Sequence, residues 1–229
     1  MQSSLVAAHP DVESLLETRA GAARARVLEA MAQVVSEKGY YATTVADVCR
    51  AARISRGTFY GQFEGKEDAF LQAYRHGIDV LQSRIRTAVR DEPGDWIARL
   101  RAGLRAYVET LAGEPRFART YVLEIHAAGP RAQAARDEAL RRFARRYRSS
   151  FEAGATARSG AAMPSDDALF ALAAGVDQLV AARVREHGAE RLRGLEAQLT
   201  SIAVAFLEGS AASGAEIGPS STPATDGGS

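Results

Sequence analysis

The chain has 229 residues, 25% of them charged and 46% hydrophobic, with a formal net charge of +1. No run of about 18 apolar residues occurs, which excludes a helical membrane span, and Ala, Leu and Val are too abundant for a chain disordered throughout. Cys49 is the sole cysteine, which excludes an internal disulfide and a multi-cysteine metal site.

In chain order, residues 1–18 carry Asp11, Glu13 and Glu17 but no lysine or arginine. They lack the basic start and apolar run of a secretory signal, so a disordered segment on a cytoplasmic protein is expected. From Ala20 to Glu208 apolar residues recur at steps of three and four, and β-branched alternation is absent, which predicts helices. Breaks fall at Gly39, Pro93-Gly94, Glu114-Pro115, Gly129-Pro130, Gly160 to Pro164 and Gly188. The first helix, Ala22–Lys38, has an inner stripe of Val27, Leu28, Met31, Val34 and Val35. Thr44 is placed to cap a two-turn helix ending near Ala51, and Ser55 to cap another running from Arg56 to about Gln62. Two short helices so spaced form a helix-turn-helix. A long helix from Lys66 to about Arg90 puts Phe70, Tyr74, Ile78, Leu81, Ile85 and Val89 on one side. Further helices are predicted near 94–112, 115–127, 130–157, 164–187 and 189–208. Beyond them Gly, Ser, Thr, Pro and Ala predominate, and disorder is expected. The expected fold class is all-α: a three-helix unit over 19–65, a larger helical domain over 66–208, and disordered ends at 1–18 and 209–229.

Charge is unevenly placed. Residues 19–66 hold eight basic side chains against four acidic ones, a bias that suits a polyanion partner and equally a solvated basic surface. Around the turn, the order S-x-G-x-x-Y-x-x-F-x-x-K runs from Ser55 through Gly57, Tyr60 and Phe63 to Lys66. Together with Gly39-Tyr40, Thr43-Thr44 and Ile54-Ser55-Arg56-Gly57-Thr58, it resembles the TetR family of transcriptional repressors over residues 26–70. Arg53 stands where that family commonly has a glycine, and Gly61 and Gln62 replace a pair that is commonly aromatic or histidine.

A helix in the major groove offers its N-terminal side chains to base edges. Arg56 has the fork that fits guanine, Gly57 permits close approach, and Thr58 reaches a phosphate or a thymine methyl. The resemblance implies that Thr44, Tyr60 and Lys66 contact phosphates. Thr43, Arg53, Ser55 and Gln62 complete the candidate DNA-binding set, whereas Phe59 and Phe63 are expected in the core. The resemblance further implies a repressor that binds a palindromic operator on double-stranded DNA as a homodimer and is released by a small-molecule effector. It also implies that the long helix beginning at Lys66 links effector binding to the separation of the two heads.

For the dimer, a small-residue stripe of Ala171, Ala174, Gly175, Gln178 and Ala182 and a seam of Leu192, Leu195, Leu199, Ile202 and Phe206 are the candidates; burial inside one chain is the alternative. Trp96, Leu100, Leu104, Tyr107, Phe117, Tyr121, Glu124, Ile125, His126, Tyr147, Phe151 and Gln178 are the candidate pocket, with plain core as the alternative for each. Arg141, Arg142, Arg145, Arg146 and Arg148 read as a solvated face, and Cys49 as core. His9, His76, His126 and His187 have no metal-ligand spacing, so neither a metal nor a cofactor is expected. No phosphate loop, dinucleotide glycine motif, serine elbow or His-Glu-x-x-His is present, so no catalytic residue is proposed. The alternatives are a helical protein-interaction module without specific DNA binding and an enzyme on a helical bundle.

Overall fold

The computed structural model describes residues 19–154 and 163–213; the disorder expected at 1–18 and over 214–229 lies outside them, as do the Gly160 break and the expected end of a helix at 157, whereas residues 209–213, expected to be disordered, continue the last helix. Nine α-helices and two 3-10 segments make up the described chain, with no strand among the described residues. The helices are α1 (Arg19–Lys38), α2 (Val45–Ala52), α3 (Arg56–Tyr60), α4 (Lys66–Asp91), α5 (Trp96–Gly113), α6 (Pro115–Val122), α7 (Pro130–Ala153), α8 (Asp166–His187) and α9 (Glu196–Ser213). Among the described residues, no helix is long and apolar enough to cross a membrane.

Local chemistry sets most of the boundaries. Thr44 begins α2 with a reciprocal capping box: its hydroxyl accepts from the Asp47 N–H, and the Asp47 carboxylate accepts from the Thr44 N–H. Ser55, Asp95 and Ser165 cap α3, α5 and α8 in the simpler way, and Pro115 and Pro130 open α6 and α7. Two expected helices are divided. The one expected over 115–127 stops at Val122 and continues as a 3-10 turn, Glu124–Ala127. The one expected over 189–208 starts as a 3-10 segment, Ala189–Leu195, before α9 carries on to Ser213.

One continuous core runs from Val27 in α1 to Leu207 in α9 and does not break at residue 65. α1 packs on α2, α4 and α6, so the first helices rest directly on the body. α4 then passes alongside α5 and α7, while α8 packs on α6, α7 and the Ala189–Leu195 segment. The close approach of α4 and α6 depends on Gly77, where an added Cβ would lie 2.1 Å from the Phe117 ring.

Candidate nucleic-acid interface and ligand cavity

The helix-turn-helix is held from beneath. Phe59 and Phe63 are buried and tilted against each other with centroids 5.3 Å apart, so α3 is anchored by one side and offers the other to solvent. On the open side Ser55, Arg56, Gly57, Thr58 and Tyr60 are all exposed. The Ser55 Oγ accepts from the Thr58 N–H at 3.0 Å and lies 2.9 Å from the Thr58 hydroxyl, which fixes the leading edge of α3. Arg56 makes no hydrogen bond or ion pair within the described chain, leaving its guanidinium free for an outside partner. At Gly57 a Cβ would meet only the Ser55 Oγ, at 3.7 Å, so nothing inside the chain demands a glycine there. Tyr60 is 58% exposed, and Tyr41, outside the motif, is 80% exposed on the turn before α2.

Arg53 ends α2 in the left-handed conformation, φ 53° and ψ 50°, the one such non-glycine residue among those described. Its N–H closes the helix onto the carbonyls of Arg50 and Cys49, the geometry glycine adopts at lower cost. Its side chain is exposed.

Three of the expected DNA contacts face elsewhere. Thr43 is 1% exposed, and its hydroxyl donates to the Gly39 carbonyl at 2.8 Å, closing the turn after α1. Lys66 is half-buried, with Nζ donating to the Tyr40 carbonyl at 2.9 Å and standing 4.2 Å above the Tyr40 ring. This contact draws the ammonium toward the protein, and burial lowers its pKa. The side-chain carbonyl of Gln62 is shut away from solvent without a partner. Thr44 is on the surface, its hydroxyl engaged by Asp47.

Head and body are joined at the same place. The Glu124 carboxylate accepts from the Tyr40 N–H at 2.8 Å, with Arg119 at 3.9 Å from its other oxygen. The Thr120 hydroxyl donates to the Ala32 carbonyl at 3.3 Å. Glu124, a candidate pocket residue, is therefore a docking group between the two units.

The body contains a cavity of about 410 Å³ between α4, α5 and α7, with α8 behind it. Of the candidate pocket residues, Trp96, Leu100, Leu104, Tyr107, Tyr121 and Tyr147 line it. Phe117 instead stacks on Tyr121 and meets α4, Ile125 and Phe151 are buried outside the cavity lining, and His126 and Gln178 line a separate recess. Gln82 and Asp177 line it as well, and so do Arg142, Arg145 and Arg146, three arginines that the sequence places on a solvated face. Asp177 bonds the Arg136 guanidinium at 2.5 Å, with both side chains largely buried. Burial pushes its carboxyl up while Arg136 draws it down. A lone acid inside the apolar run of α8 was the signal available for it. Among the described residues no three metal-ligating side chains cluster.

Of the candidate dimer residues, Leu192, Leu195 and Leu199 are buried in the chain's own core and are unavailable to a second copy. Leu192, Leu195, Leu199, Ala203 and Leu207 form a single inward stripe, which leaves Ile202 and Phe206 off its edge. Ala171, Gly175, Gln178 and Ile202 are exposed, and Ala174, Ala182 and Phe206 are half-buried. Leu179 and Ile202 are each 37% exposed on this side.

Residues 27–73 match the family of bacterial regulatory proteins described as tetR. The transcriptional repressor DhaR of Mycobacterium sp. (strain GP1) is 31% identical over 120 residues, covering 52% of this chain and 59% of DhaR. The chain thus spans little more than half of that relative. A tetR-family regulatory protein from Rhodococcus RHA1 superposes with a TM-score of 0.63 at 25% identity, over 81% of this chain and 96% of that one. The regulator FadR of Bacillus subtilis, solved in complex with stearoyl-CoA, superposes with a TM-score of 0.70 at 18% identity, over 79% of this chain and 97% of FadR.

Proposed function

We propose that this chain, which belongs to the tetR family of bacterial regulatory proteins, is a DNA-binding transcriptional repressor. Acting as a homodimer, it grips a palindromic operator through α3 and lets go when a small molecule occupies the cavity between α4, α5 and α7. The observation that carries this reading is the leading edge of α3, exposed from Ser55 to Thr58 on a helix whose Phe59 is fully buried. An arginine fork one step inside a helix N-terminus matches guanine O6 and N7, and the exposed Thr44 and Tyr60 flank it for phosphates. A twofold pair of such helices matches two half-sites about 34–36 Å apart, or a multiple of that spacing.

Ligand and DNA sites share α4. Its first turns hold Ala69, Phe70 and Leu71 in the core beneath the head, and its later turns place Gln82 and Ile85 in the cavity wall. A ligand that binds one α4 position better than another shifts the heads by that difference in affinity. The Tyr40–Glu124 bond at 2.8 Å is a second route for the same displacement.

The test is selection of bound fragments from random duplexes, followed by mobility shifts across a salt titration. A selected palindrome, with affinity falling steeply as salt rises, is the expected result. Failure to enrich any duplex favours the protein-interaction reading instead.

A further inference from the structure

The cavity has an apolar floor and a basic wall. Trp96, Leu100, Leu104 and Tyr107 come from α5, whereas Arg142, Arg145 and Arg146 come from α7 and Arg86 from α4. Asp177 is the one acid in the lining, and Arg136 already occupies it. Arg142 is offset by Asp79 at 2.7 Å, but Arg146 has no carboxylate within 4 Å among the described residues. The Arg146 guanidinium bonds the side-chain oxygen of Gln82 through Nε and its backbone carbonyl through Nη2, the latter at 3.2 Å. Burial, with Arg86 and Arg142 nearby, pushes the pKa of Arg146 down to about 10. Arg86, Arg145 and Arg146 thus gather positive charge here without a carboxylate paired to any of them among the described residues.

Gln82 supplies an independent observation. It is 1% exposed and lines the cavity, and with its oxygen taken by Arg146 its Nε2 is buried without any acceptor. A buried N–H without an acceptor is costly, and the cost is relieved by any ligand that brings one. A half-buried guanidinium and an unmet amide donor, side by side above an apolar floor, ask for the same chemistry. A cation is repelled there, and a neutral apolar molecule leaves both groups unanswered.

We propose that the effector of this cavity is an anionic amphiphile, its acidic head seated at Arg146 and Gln82 between α4 and α7 and its apolar body laid along Trp96, Leu100 and Leu104. This rests on the reading of the cavity as the effector site. Carboxylate and phosphate heads share the chemistry that the seat recognises.

Trp96 is the chain's sole tryptophan and lines the cavity, so its fluorescence reports occupancy directly. The probes are decanoate, decanoyl-CoA, decanol and decyltrimethylammonium, titrated into the full chain below the micelle concentrations of the three charged probes and the solubility limit of decanol. At least one of the two anions is expected to bind about tenfold or more tighter than the alcohol and the ammonium. Decanoate binding identifies a carboxylate seat, and binding of the CoA thioester alone identifies a phosphate seat. Arg146→Met, which keeps an unbranched apolar stem, is expected to remove that preference and leave decanol binding unchanged. Equal binding of anion and alcohol, an equal loss of both in the variant, or no response to any probe overturns the proposal. The charge comparison on the unmodified chain stands even if the variant fails to fold. DNA binding is scored separately by mobility shift of the unliganded protein, so the repressor reading and the effector class fail independently.

Discussion

Arg53 concentrates backbone strain in the turn between α2 and α3. A left-handed arginine costs about 1 kcal/mol or more that a glycine does not, so Arg53→Gly is expected to raise the stability of the fold by about 1 kcal/mol. Urea unfolding checks this, and an unchanged midpoint means that the exposed guanidinium recovers the loss elsewhere. Asp47 works in the opposite sense. Hydrogen bonds from Lys38 and Thr44 hold its carboxyl well below the usual range. Its folded pKa is depressed, so its stabilisation is complete above about pH 4 and declines as acid approaches the lowered value. Melting temperatures across an acid titration, compared with Asp47→Asn, are expected to converge at low pH; parallel curves contradict this role. Single residues were unevenly legible. Arg56, Gly57 and Tyr60 follow from the order of the motif, and the structure leaves them exposed. Thr43 and Thr44 are alike as letters, yet Thr43 turns inward to Gly39 while Thr44 caps α2. Lys66 had to be seen beside Tyr40, 26 positions away, before its inward contact was evident.

Elements bearing a cap or a proline were readable to within a few residues, because Thr44, Ser55, Pro115 and Pro130 each answer a local hydrogen-bonding need. The break after Val122 carries neither glycine nor proline at the junction, whereas the one after Leu195 follows Gly194, a glycine with no proline beside it to mark a boundary. The cavity wall was half legible for a related reason: aromatic groups at helical spacing announce an inner face, but which arginines of α7 border a cavity depends on where α4 crosses it. The bond between α7 and α8 gives the sharpest prediction at this scale. Asp177→Ala strands the Arg136 guanidinium in a largely buried site, and a loss of about 3–5 kcal/mol is expected. Denaturant unfolding measures it; a loss below about 1 kcal/mol would mean that the pair is as inconsequential as a surface bridge.

Across the whole molecule, head and body share one core, and Ala171, Gly175, Leu179 and Ile202 are left exposed, where the proposed homodimer would form. Ile202→Arg places a charge on that exposed surface and is expected to give monomers by analytical ultracentrifugation, with the fold's helical signal intact; persistent dimers would move the interface elsewhere. In the proposed function two copies matter, because α3 has only five residues and a second copy doubles the bases that can be read. The most direct measurement is the affinity of the unmodified chain and of Arg56→Ala for a selected palindromic duplex and for random duplex at one salt concentration. Two copies bound per palindrome, with the variant weaker there by about 1–3 kcal/mol and nearly unchanged on random duplex, is the predicted result. Equal weakening on both duplexes, or a single copy bound, contradicts it.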